Sequence, residues 1–286
     1  MAYAAKILLD SISPQGVRLI TFEVTFPRFI LAEFNTHRAF SRNTASSRAI
    51  PAKKIWERTE AEPFVPSYWG KNQKGMQADE ELSPAEQTEA ERLWRNALAA
   101  ALDHAKQLAE LGVHKQLTNR ILEPFMWHTA LVTATEWDNF FALRAHPAAQ
   151  PEIQTIARMM KELYDTNQPQ LLQEGQWHLP LIRPEEFGEA DLETLKQVSS
   201  GRCARVSYLT HDGVRDLEAD VRLHNQLREG GHMSPFEHVA RPMTAAEYAQ
   251  TPFLGNFRGW HQYRKDLPHE SNYAEAQAVA QPEVTV

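Results

Sequence analysis

The sequence predicts an α+β chain, a small mixed or antiparallel sheet carrying several helices. Residues 16–25 (GVRLITFEVT) alternate apolar and polar positions and are rich in β-branched side chains, as a strand requires. A long stretch from Ser83 begins with a capping box and continues with an apolar stripe of helical period. Residues 150–165 repeat that period through Ile153, Ile156, Ala157, Met160 and Leu163. At 286 residues the chain can bury a sizeable core, as one large domain or two modest ones.

In chain order, Lys6 to Leu9 is a short apolar strand, followed by the strand at 16–25. Pro27 stops the ladder and suits the first turn of a helix, so 28–38 is expected to be helical. Residues 41–47 are polar and poor in large apolar groups, which reads as a loop. Residues 59–82 hold Pro63, Pro66, Gly70 and Gly75, the composition of a long irregular connection that serves as a lid or an insert. Ser83 then caps a helix with Pro84 at its first position and Glu86 closing the box; Leu93, Ala97, Ala101, Ala105 and Leu108 form its stripe and Gly112 ends it. A further helix runs over 114–120, ahead of Pro124. Residues 125–141 are apolar and aromatic and fit helix or buried strand, with helix preferred. Residues 166–200, rich in Pro and Glu, read as a linker with one short helix at 192–198, and 216–228 is another helix. The last dozen residues read as a frayed tail. The organisation is therefore a core at 1–165, a linker at 166–200 and a segment at 201–286 that completes the same domain.

Composition excludes several classes of function. The formal net charge is -7, against a general nucleic-acid coat, although a local basic pocket for a small anion stays open. The single cysteine, Cys203, rules out an intramolecular disulfide framework and a cysteine-cluster metal site, and fits a cytoplasmic setting. Polar residues Asp10, Ser11, Ser13 and Gln15 interrupt any N-terminal apolar run, so neither a signal peptide nor a membrane span is expected.

Chemistry-bearing residues gather in a few places. Residues 36–48 (THRAFSRNTASSR) join arginines, a histidine and several hydroxyls; such a loop can wrap a phosphate, and an ordinary solvated loop accounts for it equally well. In 230–238 (GGHMSPFEH), Ser234-Pro235 can cap a short helix, and His232 with His238 is too loose a spacing for a zinc site, so no metal is expected. Arg144 follows the apolar run Phe140-Phe141-Ala142-Leu143 and is costly to bury without an anionic or polar partner, which a ligand or an internal carboxylate would provide. Residues 255–265 (GNFRGWHQYRK) mix glycines, aromatics and cations, a combination that stacks a planar ring or simply packs. Neither standard glycine-rich phosphate loop is present.

Taken together, these segments resemble the flavin-dependent thymidylate synthases. His37, Arg38 and Ser46 fall in register with that family's R-H-R-x7-S motif, with Asn43 and Arg48 at accompanying positions. Residues 231–238 (GHMSPFEH) are similar to G-H-x-[ST]-P-[FL]-E-H, and Asn119-Arg120 with Leu122 and Pro124 to A-R-x-x-L-P. Residues 139–144 (NFFALR) resemble N-F-x-x-L-R, continued by Ala149-Gln150-Pro151-Glu152-Ile153, and 202–208 (RCARVSY) resemble the N-terminal A-A-R-x-x-Y piece. The order differs, because in the family the G-H-x-S-P-F-E-H segment precedes R-H-R. A circular permutation, or a divergent branch of equivalent outcome, is the simplest account.

The resemblance implies a flavin-dependent synthase fold, a homotetramer with active sites between subunits, and reductive methylation of dUMP to dTMP. It implies FAD as cofactor, with NADPH and methylenetetrahydrofolate as co-substrates and no protein nucleophile. His37 and Arg38 would contact the flavin, with Asn139, Ser234 and His232 helping to hold it. Ser46, Ser47 and Arg48 would hold the phosphate of dUMP with Arg120 of a neighbouring subunit, and Arg144 would act catalytically against the uracil, favouring its N3-ionised form. Neither nucleic acid nor membrane is an implied partner. The chain departs from the pattern at Thr36, where the first arginine is expected, at Thr44, and at Glu33, which replaces a glutamine and would repel a phosphate when ionised. Gln262 and Arg264 are candidates to replace the missing amide and cation. Modification of another pyrimidine deoxynucleotide, or a non-catalytic nucleotide-binding role, stays open.

Overall fold

In the computed structural model, which describes residues 2–210, 213, 215–267 and 274, the chain is built on a five-stranded sheet. Strands β1 (Ala4–Ile12), β2 (Arg18–Pro27), β3 (Ser41–Thr44), β4 (Trp127–Ala134) and β5 (Gln170–Leu171) lie in the order β3-β4-β2-β1-β5. All pairs are antiparallel except β1 with β5.

β2 is central, and alternation sends its side chains to two different cores. Ile20, Phe22, Val24 and Phe26 meet Ala130, Val132 and Ala134 of β4 on one face. There α5 (Asp138–Arg144) and α6 (Pro151–Thr166) cover them, through Phe140, Phe141, Ile153, Ile156, Ala157 and Met160. Each of the phenylalanines in this core would cost about 3–5 kcal/mol to truncate to alanine. Leu19 and Leu131 face the other way, onto the chain's C-terminal half. A strand buried on both faces has no polar side to reveal its period. That is why 127–134, read as helix, is strand β4.

Other expectations shift for equally local reasons. The helix expected over 28–38 is a 3-10 turn, Arg28–Ile30, followed by the single turn α1 (Leu31–Phe34). Pro27 is still paired with Trp127, and the chain must turn back after Phe34 to lay Ser41 against Thr133. The loop expected at 41–47 therefore starts as strand β3, whose ladder comes from β4 and not from its own polar sequence. After α2 (Ala52–Ala61), residues 62–82 form the expected irregular excursion, pinned by a Gly70–Glu81 bridge.

Helix α3 (Pro84–Glu110) starts as read, with Ser83 Oγ accepting from Glu86 N and Glu86 accepting from Ser83 N at 2.9 Å. Its buried stripe is rotated to Leu98, Leu102 and Ala105, which face Ile55, Leu122 and Phe125, while Leu93 is 54% exposed. α4 (Lys115–Thr118) passes into a 3-10 stretch, Asn119–Phe125, that tolerates Pro124.

Residues 166–200, read as a linker, are built into the fold. They supply β5, a 3-10 turn at Pro184–Gly188, the buried Leu172, Leu179 and Leu181, and the first half of α7 (Leu192–Arg205). α8 (Leu217–Glu229) crosses α7 at Gly201, where a Cβ would come within 2.5 Å of Asp220 O, so only glycine fits. Beyond the 3-10 turn Ser234–Glu237, residues 240–266 form β6 (Ala240–Pro242), α9 (Ala245–Gln250), β7 (Phe253–Leu254), β8 (Phe257–Arg258) and β9 (Trp260–Gln262). β6 pairs with β9, and Phe257 and Trp260 are buried against Val17 and Leu19. The tail read as frayed, residues 275–286, lies outside the described residues.

Candidate functional site

The polar strand β3 is the hinge of the site. The turn Ser234–Glu237 packs against β3 and α7 and so brings residues from the far end of the chain to the 36–48 segment. Two hydrogen bonds fix the seam: Ser46 N donates to Ser207 O at 3.0 Å, and Asn43 Nδ2 to Cys203 O at 3.4 Å. The result is an open cleft of about 990 Å³, walled by Asn43, Ser46 and Arg48 on one side, His232, Ser234 and Pro235 on another, and Ser207 and Tyr208 on a third. Arg48, His232 and Ser234 are exposed, and Asn43 Oδ1 is a buried acceptor with no protein partner.

The motif turn is anchored from behind by a buried polar chain. His238 Nδ1 meets Thr133 Oγ1 at 2.7 Å, Thr133 meets Thr21 at 2.7 Å, Thr21 meets His178 Nε2 at 2.8 Å, and His178 Nδ1 meets Ser11 at 2.9 Å. Burial pushes both imidazoles down to about 3, so at neutral pH each is uncharged and can both donate and accept. His238 thus ties its segment to the sheet and is fully buried.

A second cluster forms at the head of the 36–48 segment. Arg144, in the last turn of α5, donates from Nε to His37 Nε2 at 3.0 Å and from Nη2 to Thr36 Oγ1 at 3.4 Å. Among the described residues no carboxylate pairs with it, so the internal salt bridge weighed for Arg144 is not seen there. Burial, then Arg144 and Arg42, pushes His37 down to about 4, and the neutral ring accepts from Arg144. His37 is buried among Phe40 and Phe140, and its carbonyl accepts from Arg42 at 3.4 Å. Burial, then Arg38, lowers Arg42, while Glu237 acts against both and links this cluster electrostatically to the motif turn.

The C-terminal segment reaches the same strand. Gln262 is 1% exposed and donates to Ser41 Oγ at 3.2 Å and to Asn256 Oδ1 at 3.0 Å, while Asn256 donates to Ser41 Oγ at 3.1 Å. Arg264 pairs with Glu237. Both side chains therefore brace the motif segments.

The remaining residues read from sequence fall apart in space. Ser47 is 3% exposed and donates to Glu123 at 3.0 Å, which in turn pairs with Arg28 at 2.9 Å. Asn119 holds the same loop by donating to Ser47 O at 2.7 Å. Arg120 and Asn139 are exposed and make no side-chain hydrogen bond among the described residues. Arg38 is exposed and lines no part of the cleft. Gln116, Ser207 and Tyr208 line the cleft without having been singled out; only Tyr208 carried a signal, as the tyrosine of the A-A-R-x-x-Y-like piece. Among the described residues there is no group of three or more His, Cys, Asp or Glu able to hold a metal, and no helix long and apolar enough to cross a membrane.

Comparison with known proteins bears on the same segments. The family model described as thymidylate synthase complementing protein matches residues 12–170, more than half of the chain. The chain belongs to the thymidylate synthase complementing protein family. The matched span contains β2, the 36–48 segment, β4, Arg144 and α6, while the 231–238 segment and α7 lie beyond it.

Among curated relatives of this family member, the flavin-dependent thymidylate synthase of Aquifex aeolicus is 28% identical over 149 residues, 50% of this chain and 44% of the relative. The flavin-dependent thymidylate synthase of Thermosipho melanesiensis is 33% identical over 156 residues, 50% of this chain and 63% of the relative. The chain thus spans less than two thirds of the length of either. Solved structures similar to it include the UMP/dUMP methylase PolB from Streptomyces cacaoi bound with 5-Br UMP, at 18% identity and a TM-score of 0.48 over 57% of this chain and 88% of that one. The same methylase bound with 5-Br dUMP gives 21% identity and a TM-score of 0.44 over 51% and 65%.

Proposed function

We propose that this chain catalyses the flavin-dependent reductive methylation of dUMP to dTMP, with methylenetetrahydrofolate and NADPH as co-substrates, in the cytoplasm. The motif segments would be those of the family in permuted order. One observation carries the reading: Ser46 and Arg48 share a single cleft with His232 and Ser234, although the two segments stand near opposite ends of the chain. Convergence of the two family-like segments supports permutation over chance likeness. Two curated relatives are named for this activity.

In this reading Ser46 and Arg48 hold the phosphate, the hydroxyl donating and the exposed guanidinium adding charge. Arg120 would be delivered by a neighbouring subunit. Arg144 presents its outer N–H groups to the uracil, because its Nε is already committed to His37. A cation at the ring edge favours the N3-ionised base. The cleft also has donors and acceptors suited to a flavin: the orphaned Asn43 Oδ1 would accept from a ring N–H, with His232 and Ser234 beside it, while His37, Arg38 and Asn139, which do not line this cleft, would reach the cofactor only from a neighbouring subunit. When bound, FAD supplies hydride transfer. A homotetramer with sites between subunits would unite the Arg144 cluster with a neighbour's cleft.

A second reading, modification of another pyrimidine deoxynucleotide, is favoured by Thr36. It replaces the family's arginine and spends its hydroxyl on Arg144, which changes what the base meets. Reconstitution with FAD, followed by product analysis on dUMP and dCMP with both co-substrates, separates the cases. Yellow protein forming dTMP supports the first reading, and turnover of dCMP alone supports the second. Colourless protein that takes up no FAD would overturn both and leave a non-catalytic homologue.

A further inference from the structure

The back of the 43–50 segment closes a second cavity, which shares no lining residue with the cleft. Asn43, Ser46 and Arg48 face the cleft, whereas Ala45, Ser47 and Ile50 line this cavity of about 470 Å³. α2 and the start of β4 supply the other walls, and Ile55, Met126 and Leu209 join Ile50 in making them largely apolar. Two polar residues at one end, Arg28 and His128, belong to no motif read from the sequence.

His128 is 1% exposed, and its Nδ1 lies 2.8 Å from Arg28 Nη1. A guanidinium can only donate, so Nδ1 is the acceptor. Burial, then Arg28, pushes the imidazole down to about 3, so the ring is neutral and its single proton sits on Nε2. That Nε2 is buried and has no hydrogen-bond partner among the described residues, and the same holds for Arg28 Nε. Arg28 spends its other nitrogens on His128 and, through Nη2 at 2.9 Å, on Glu123. Two N–H donors, on side chains already fastened to each other, are therefore left over beside apolar walls. A buried donor without an acceptor is costly, which a ligand offering acceptors would relieve.

We propose that this cavity binds a small aliphatic carboxylate, one oxygen accepting from Arg28 Nε and the other from His128 Nε2. Its short chain lies against Ile50, Ile55, Met126 and Leu209. An ionised carboxylate is an acceptor-only group with two oxygens, which matches two leftover donors and no leftover acceptor between them. Charge favours a monoanion. Glu123 already offsets Arg28, and Glu62 acts on Arg58, the half-buried cation in the α2 wall, so little net positive charge remains for a dianionic phosphate. Size favours a short chain, since the cavity has about half the volume of the cleft proposed for the nucleotide. Binding here needs neither flavin nor nucleotide and therefore stands or falls apart from the proposed methylation.

Calorimetric titration of the full chain with butyrate, butyramide, chloride and inorganic phosphate, at constant ionic strength, tests it. Butyrate should bind once per chain. Butyramide keeps the hydrocarbon but loses the charge and one acceptor, and should bind about tenfold more weakly or worse, the loss expected for a charge-assisted bond. Arg28→Lys keeps the charge without the Nε donor, and His128→Phe removes the Nε2 donor; each should weaken butyrate by a similar factor. Both residues also brace their surroundings, so a third variant, Ile55→Phe, fills the cavity from α2 and leaves the donors in place. It should melt cooperatively and no longer bind butyrate. No saturable uptake of butyrate, equal binding of butyramide, tighter binding of chloride or phosphate, or a folded His128→Phe or Ile55→Phe protein that binds butyrate like wild type would each overturn the assignment.

Discussion

Replacing Arg202 by methionine should destabilise the chain severely, because the arginine is a fully buried charge shared between two acids. Its guanidinium is 0% exposed and donates to Glu186 at 2.7 and 2.6 Å, to Asp220 at 2.8 Å and to Leu181 O at 2.9 Å. Leu181 is itself held at a φ of 67°, a conformation that leucine rarely adopts and that these bonds help to fix. Removing the cation leaves Glu186 and Asp220 buried, with Arg205 on Asp220 at 2.7 Å as a remaining counter-charge. Breaking such a network by deleting one partner costs about 3–5 kcal/mol. At roughly 2–4 °C per kcal/mol for a chain of this size, the melting temperature should fall by about 6–20 °C. Calorimetry on the wild type, Arg202→Met and Arg202→Met with Glu186→Gln measures it. The double substitution should recover part of the loss, since neutralising Glu186 removes a stranded charge. A fall of less than about 1 kcal/mol, or a double variant less stable than the single one, would refute the reasoning. The variant should also weaken ligands of the cleft, because α7 carries Ser207 close behind it.

Acid should unfold the chain through its imidazoles and its paired acid together. His128, His178 and His238 are pushed to about 3 by burial, well below the unfolded value, so the unfolded chain binds more protons between about pH 3 and 6.5 and stability falls as pH drops through that window. Urea midpoints at pH 7 and pH 5 should therefore differ, and equal midpoints would contradict the buried neutral imidazoles; Arg202 holds the Glu186 carboxyl low, so its contribution is lost only as pH falls through and below the carboxylate range, where a further fall in the midpoint checks it. His37→Phe should reduce dUMP affinity or kcat/KM by about tenfold through the loss of one charged-donor bond, with His37→Gln keeping part of it, and an unaffected His37→Phe enzyme would remove His37 as the group that orients Arg144. Cys203, buried and with its thiol pushed up by burial, should resist thiol reagents until the chain is unfolded; rapid labelling of the native protein would contradict the packing of α7.

Local punctuation was legible where a chemical signal was complete within a few residues. Ser83, Pro84 and Glu86 announced α3, Asp216 the start of α8, and Gln150-Pro151 the start of α6. Where identity depends on a partner, the reading failed. β3 is a polar strand only because β4 lies beside it, and β4 was read as helix because both of its faces are buried. The stripe of α3 was right at Ala105 but one position off at Ala97 and Ala101, since alanines outline a face poorly and Leu98 and Leu102 were decided by what packs on them. Among the site residues, Arg144 needed a polar partner by its chemistry alone, but that the partner is His37 follows from α5 returning beside the 36–37 turn. Ser47 and Gln262, read as ligand contacts, spend their polar atoms on Glu123, Ser41 and Asn256.

By itself the sequence determined the α+β class, the starts of α3, α6 and α8, and the family, because side-chain spacing and residue chemistry survive any order of segments. Only the tertiary structure decided that 166–200 is built into the fold, and that Ser46 and Ser234 share a cleft. The physical reason is that spacing is a local property, whereas burial and hydrogen-bond partners at long range are set by how the sheet and the two ends of the chain pack.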